Sequence, residues 1–128
     1  MAVFVLDDFR DYIRPYVPEG TPENILLDVI VPSFCVQVDY LQSICSLKVP
    51  NQITTKFIII IDNKEALLRV AENLSDSRND ISVSKAEGIL EHFLAKAGNT
   101  IRVRCNDFNL GASASRNRGL DESAAEYV

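Results

Sequence analysis

Residues Asn106 to Val128 read NDFNLGASASRNRGLDESAAEYV, a polar loop that turns at Gly111 and runs through Ala112, Ser113, Ala114 and Ser115 to Arg116. Small residues beside a glycine let a backbone approach a ligand or a neighbouring strand closely. The unpaired amides that open such a helix carry the positive end of its dipole and suit an anion. Arg116, one turn in, adds a fixed cation with forked donors. The chemistry this permits is the holding of a phosphate-like group. The same residues also fit a helix with a closely packed Ala/Ser face and a solvated arginine, and the two readings stay open.

Two further groups could share that chemistry. Pro32-Ser33-Phe34 offers a rigid proline and a ring on which a base can lie, although Phe34 also fits a core position. Asp62-Asn63 follows an apolar run, where acidic residues commonly accept hydrogen bonds from a ribose or base. Asp62 fits a helix cap equally well, because Asp62-Asn63-Lys64-Glu65 has the spacing of a capping box. No G-x-G-x-x-G fingerprint follows the first apolar run. His92, between Glu91 and Phe93, lies off the apolar stripe of its helix and receives no catalytic role. Asp7-Asp8 and Asp121-Glu122 read as solvated helix charges, since nothing brings the two pairs to one cleft. No metal ligands are assigned.

The elements that must position these groups follow from hydropathy. Residues 3–16 set Leu6, Phe9, Tyr12, Ile13 and Tyr16 at helical intervals, and Pro15, Pro18, Gly20 and Pro22 then break the chain. Residues 1–27 are therefore taken as an N-terminal extension and 28–128 as the core domain. Ile25–Val31 (ILLDVIV) has the continuous apolar character of a strand buried on both faces, and Pro32 is expected to stop it. Val38 to Leu47 reads as a helix. Lys56–Ile61 (KFIIII) is a second buried strand, followed by a helix carrying Leu67, Val70, Ala71 and Leu74 inward. After the polar loop at 75–80, Ser84-Lys85-Ala86-Glu87 suggests a second capping box, opening a helix that closes at Gly98-Asn99. Ile101, Val103 and Cys105 alternate with Arg102 and Arg104, as in a strand wet on one face. Tyr127-Val128 resembles the start of a fourth strand.

Strands alternating with helices imply an α/β fold, a Rossmann-like parallel sheet with flanking helices. The two apolar strands should be central and the alternating one an edge, which agrees with the order 3-2-1-4. A ligand crevice would then lie between strands 1 and 4 at their C-terminal ends.

The totals exclude several classes. At 128 residues and 47% apolar content the chain can bury one core, and a net charge of −5 argues against nucleic acid. No apolar run is long enough to span a membrane, and no signal peptide is recognisable. Three scattered cysteines (Cys35, Cys45, Cys105) fit reduced thiols of a cytoplasmic protein.

In order along the chain, Asp28-Val-Ile-Val-Pro32-Ser-Phe34, the helix with Leu41-Gln-Ser-Ile-Cys-Ser-Leu47, Phe57-Ile-Ile-Ile-Ile-Asp62-Asn63 and Asn109-Leu-Gly111-Ala-Ser-Ala-Ser-Arg116-Asn117-Arg-Gly119 form a pattern, continued by Ala125-Glu126-Tyr127-Val128. From Asp28 onward the chain resembles the N-terminal half of the family-2 glycosyltransferases, with an enlarged helical insert between strands 2 and 3. The resemblance implies a partial GT-A fold that binds a nucleotide-diphosphate sugar. The segments matching Pro32–Phe34 and Asp62–Asn63 would cradle base and ribose, and the Gly111 turn and Arg116 would lie along the diphosphate. Cys35 stands where the family commonly has Asn, and Asn63-Lys64-Glu65 where it often has a second Asp and Gly-Ser. An Asp-x-Asp site for Mn or Mg, and the catalytic base, would come after Tyr127. The resemblance therefore implies a piece truncated before that motif, with no cofactor or catalytic residue of its own. The intact enzyme would transfer sugar with inversion to an acceptor hydroxyl, and any membrane association would belong to it. Two other readings are a non-enzymatic α/β binding or assembly module and a different Rossmann-like nucleotide binder. The exposed edge of strand 1 is expected to favour self-association.

Overall fold

The strongest fold determinant is Phe57-Ile58-Ile59-Ile60-Ile61, five residues with essentially no exposure on either side of the strand. Burying each such side chain stabilises by about 1.5–3 kcal/mol, so this strand must be central. The computed structural model describes residues 25–76 and 81–128. Among them β1 (Ile25–Ser33), β2 (Ile53–Ile61) and β3 (Thr100–Cys105) pair in parallel in the order β1-β2-β3. The connections carry α1 (Val38–Cys45), α2 (Lys64–Ser75) and α3 (Val83–Leu94), and α4 (Ala112–Glu122) follows β3. The helix expected over residues 3–16, and residues 77–80 of the polar loop, lie outside the described residues. β1 opens at Ile25, ahead of the boundary drawn at residue 28.

Helices cover both faces. The register aligns Val29 with Phe57 and Ile101, and Val31 with Ile59 and Val103, so these share one face. That face meets Leu41 and Cys45 of α1, Leu67 and Ala71 of α2, and Ala86, Leu90 and Leu94 of α3. The opposite face carries Ile30, Ile58, Ile60, Arg102 and Arg104, and α4 lies there. Ser115 and Gly119, one turn apart, form the buried side of α4. A Cβ on Gly119 would come within 2.4 Å of Ile30 Cγ2, so the glycine sets how closely α4 approaches β1. Among the described residues no helix is long and apolar enough to cross a membrane.

Several expectations need correction. Among the described residues the sheet has three strands in the order β1-β2-β3, rather than the four-stranded 3-2-1-4 expected, and Tyr127 adds only one parallel bridge, to Leu27. Ser123 closes α4 in extended backbone and turns its hydroxyl to Asp28, so Tyr127 is where the chain regains ladder geometry, with Val128 next. Among the described residues β1 is consequently an edge strand, and its only buried residue is Asp28. Nor does Pro32 stop β1, which runs on to Ser33. Ile25 N–H donates to Gln52 O and Ser33 O accepts from Asp62 N–H, so odd-numbered residues of β1 turn their polar groups to β2. Even-numbered ones face outward, as Asp28 N–H donating to Tyr127 O shows. The missing N–H of Pro32 therefore falls on the outer edge and costs no ladder bond.

Both capping boxes are displaced as well. Asn63, not Asp62, caps α2 by accepting from Ala66 N–H at 3.2 Å. Ser82, not Ser84, caps α3 by accepting from Lys85 N–H at 3.1 Å, and Glu87 is used elsewhere.

Candidate functional site

Three strand ends meet at one rim of the sheet. Asp62 N–H donates to Ser33 O and Asn106 N–H to Ile61 O, both at 2.8 Å, so the residues after β1, β2 and β3 lie side by side. The rim is pinned from below on two sides. Glu87 of α3 accepts from Cys105 N–H at 2.6 Å, and Arg118 of α4 donates to Cys105 O at 2.6 Å.

Asp62 is the hub. Only 5% of it is exposed, yet both carboxylate oxygens are engaged. Oδ1 accepts from Asn106 Nδ2 and from Leu110 N–H, and Oδ2 accepts from Gly111 N–H, each at 2.8 Å. Burial pushes this carboxyl up, but the Asn106 amide and the two backbone donors more than offset that, and the net shift is below its ordinary 3.8. Asp62 is thus an anion at neutral pH that holds the loop before α4 in place. With about four acceptor positions on a carboxylate, three are used by these donors.

The Gly111 turn has a conformation only glycine adopts readily, with φ 90° and ψ 168°. Gly111 has no side chain to cap α4, and Ala112 and Ser113 are exposed, so among the described residues no side chain caps the first-turn amides. Beneath them Ser115 Oγ accepts from Asn106 Nδ2 at 3.0 Å.

The structure therefore brings Asp62, Asn63, Gly111 and the Pro32–Phe34 strand end to one rim. Asn63 uses its side-chain oxygen as the α2 cap. Ser33 Oγ donates to Cys35 O at 3.2 Å, and Phe34 is 52% exposed, which resolves its alternatives in favour of the surface. Arg116 is exposed on α4, beside buried Ser115, and no hydrogen bond or ion pair ties it to Asp62 or Phe34. His92 is exposed, as its place off the apolar stripe implies. Of the thiols, Cys45 and Cys105 are buried while Cys35 is exposed. Burial, then the charge of Glu87, holds the Cys105 thiol above its ordinary value, so it is no nucleophile at neutral pH.

Sequence reasoning missed Asn106, Ser115 and Arg118. A usable signal existed for Asn106, a polar residue immediately after an alternating strand, in the place Asp62 holds after β2. A hollow of about 480 Å³ lined by Gln37, Val38, Asp39 and Tyr40 opens at the start of α1, shortly after Phe34. A larger one, about 530 Å³, lies between α2 and α3 and includes no rim residue.

No family model, curated protein or solved structure matches this chain.

Proposed function

We propose that the rim binds the diphosphate of a nucleotide sugar, as the donor-binding portion of a family-2-like glycosyltransferase of the cytoplasm. The observation that carries this reading is the opening of α4: an uncapped helix N-terminus whose turn is fastened from behind by a buried carboxylate. Such an opening offers several N–H groups and the positive end of a dipole to an incoming phosphate. The charge of Asp62 does not spoil it, because three donors enclose that charge and Arg118 adds a cation one hydrogen bond away, through Asn106. Phe34 supplies an exposed ring for the base, and Ser33 and Asn63 flank it with polar atoms. The free position on Asp62 Oδ2 suits a ribose hydroxyl. In the same reading Tyr127 begins a fourth strand on the outer edge of β1, giving the Rossmann-like order 3-2-1-4 with the crevice beside it; the Leu27–Tyr127 bridge supports this. A divalent cation on a bound diphosphate would offset leaving-group charge. No step of sugar transfer is assigned to the residues described here.

Calorimetric titration with uridine and guanosine diphosphates, with and without manganese, tests the reading. At least one nucleotide should bind, and Arg116→Ala should weaken it about tenfold or more, the scale of a lost charge-assisted hydrogen bond. Arg104 bonds Val103 O and approaches Glu122 at 3.9 Å, so Arg104→Ala should change binding little. Equal effects of the two substitutions would remove Arg116 from the site. Absence of binding by any nucleotide would leave the fold with a scaffold role.

A further inference from the structure

Beneath the Gly111 turn lies a chain of hydrogen bonds whose polarity is fixed by chemistry. Arg118 can only donate, and its Nη1 meets Asn106 Oδ1 at 3.0 Å. Ionised Asp62 can only accept, and it takes Asn106 Nδ2 at 2.8 Å. Asn106 is 3% exposed, and its amide must therefore present oxygen to the arginine and nitrogen to the aspartate. No rotation of that amide satisfies both neighbours the other way round. Asp62 then hands the arrangement on to the N–H groups of Leu110 and Gly111.

We propose that Arg118 and Asn106 are positioning residues for the amide turn that opens α4, acting through Asp62 rather than on any ligand. Arg118 anchors the relay to the end of β3 through Cys105 O and orients Asn106. Asn106 steers Oδ1 of Asp62, and the same carboxylate fixes Leu110 and Gly111. The ligand consequence rests on the reading of the rim as a diphosphate site; the relay itself does not. Arg116 and Arg118, two residues apart on α4, thereby divide the work: the exposed one is available to a ligand, the half-buried one organises the backbone that meets it.

The test is amide hydrogen exchange of the ligand-free chain, with uridine diphosphate titration as a second arm. Arg118→Met should speed exchange at Leu110 and Gly111 about tenfold or more, the scale of one lost hydrogen bond to a charged group, while Ile59–Ile61 stay protected. Arg118→Lys, which keeps a donor cation, should restore part of the protection. Unchanged exchange at Leu110 and Gly111 would overturn the relay. So would equal loosening of every core amide, because Arg118 would then hold the fold and not the turn.

Asn106→Asp adds a readout that a merely structural role would not move. It places a second carboxylate against Asp62, and two such charges at that distance cannot both ionise without large cost. The charged group touching that pair is Arg118 on α4, and around the adjoining Cys105 lie Glu87 on α3, Asp107 just after β3 and Lys64 on α2. Protection of the turn amides, corrected for intrinsic exchange, should persist in mildly acid buffer, where the pair shares a proton, and fall toward neutral pH. A flat profile would count against the relay. If the unaltered chain binds no diphosphate, the functional reading fails while the exchange data still decide the relay. If it binds, Arg118→Met should weaken uridine diphosphate about as much as Arg116→Ala does.

Discussion

Two helices open at the same rim, and they are held there by opposite means. α2 is capped by the residue that precedes it, Asn63, which reaches the amide of Ala66. α4 is preceded by Gly111, which has no side chain, and its turn is fastened by Asp62 from the far side of the chain fold. Adjacent residues, Asp62 and Asn63, thus serve two different helices. The consequence differs too. A local cap closes the end of α2 to anions, because a side-chain oxygen already occupies its first turn. A tertiary clamp acts one residue before the helix and leaves the first-turn amides of α4 without a side-chain cap. The lesson is that an open helix end needs support from elsewhere, and here that support is a buried charge.

The largest effect should come from removing that charge. Asp62→Ala removes the charged acceptor of the part-buried Leu110 and Gly111 N–H groups and one of the two acceptors of the buried Asn106 amide, three bonds whose loss costs about 3 kcal/mol or more. Urea denaturation measures it. The pH dependence carries the sign. The folded pKa of Asp62 lies below its ordinary 3.8, so its contribution is complete above 3.8 and is lost as pH falls through the folded value. The unaltered chain should therefore lose stability across that acid window faster than Asp62→Ala does. Identical acid slopes would mean that the clamp holds no charge and that the contrast between the two helix ends is only geometric.

A smaller effect should follow from Gly111→Ala. A methyl group there meets nothing within 4 Å, so the whole cost is backbone, from forcing an L-residue to φ +90°. That strain is about 1–3 kcal/mol. Exchange measurements should show it confined to the Gly111 turn and the start of α4, with α2 unaffected. Spread of the disturbance into α2 would show that the rim responds as one unit, and the comparison would lose its sharpness.

What was legible in the sequence follows the same divide between local and tertiary. KFIIII and the alternation of Ile101, Val103 and Cys105 give the central and edge strands, because burial pattern is a property of each strand alone. ILLDVIV misleads, since a strand on an edge can be as apolar as a central one when helices half-cover it. Pro32 misleads for a finer reason: whether a proline breaks a ladder depends on which side its nitrogen faces, and residue type does not reveal parity. Asp62 has the right spacing for a cap but is tied to the end of β1, its N–H donating to Ser33 O, while its side chain holds the loop before α4. The convergence of Asp62 and Gly111 was legible from topology, but the relay through Asn106 and Arg118 was not. It joins residues 44 and 12 positions apart, and no short-range spacing announces such contacts.

The smallest effect belongs to the locally capped helix. Asn63→Ala removes one side-chain acceptor at a half-buried position, which costs about 1 kcal/mol, the usual value for an N-cap. Water can reach the freed Ala66 amide in part, which is why the loss stays well below that at Asp62. Exchange at Ala66 should quicken, while Leu110 and Gly111 keep their protection, because Asp62 bonds them without help from Asn63. Asn63 is also proposed to flank the base of a bound nucleotide, and the same variant separates the two roles. A cap alone predicts lower stability with nucleotide affinity intact. A loss of affinity at unchanged Leu110 and Gly111 protection assigns the amide end of Asn63, which the cap leaves unused, to the ligand.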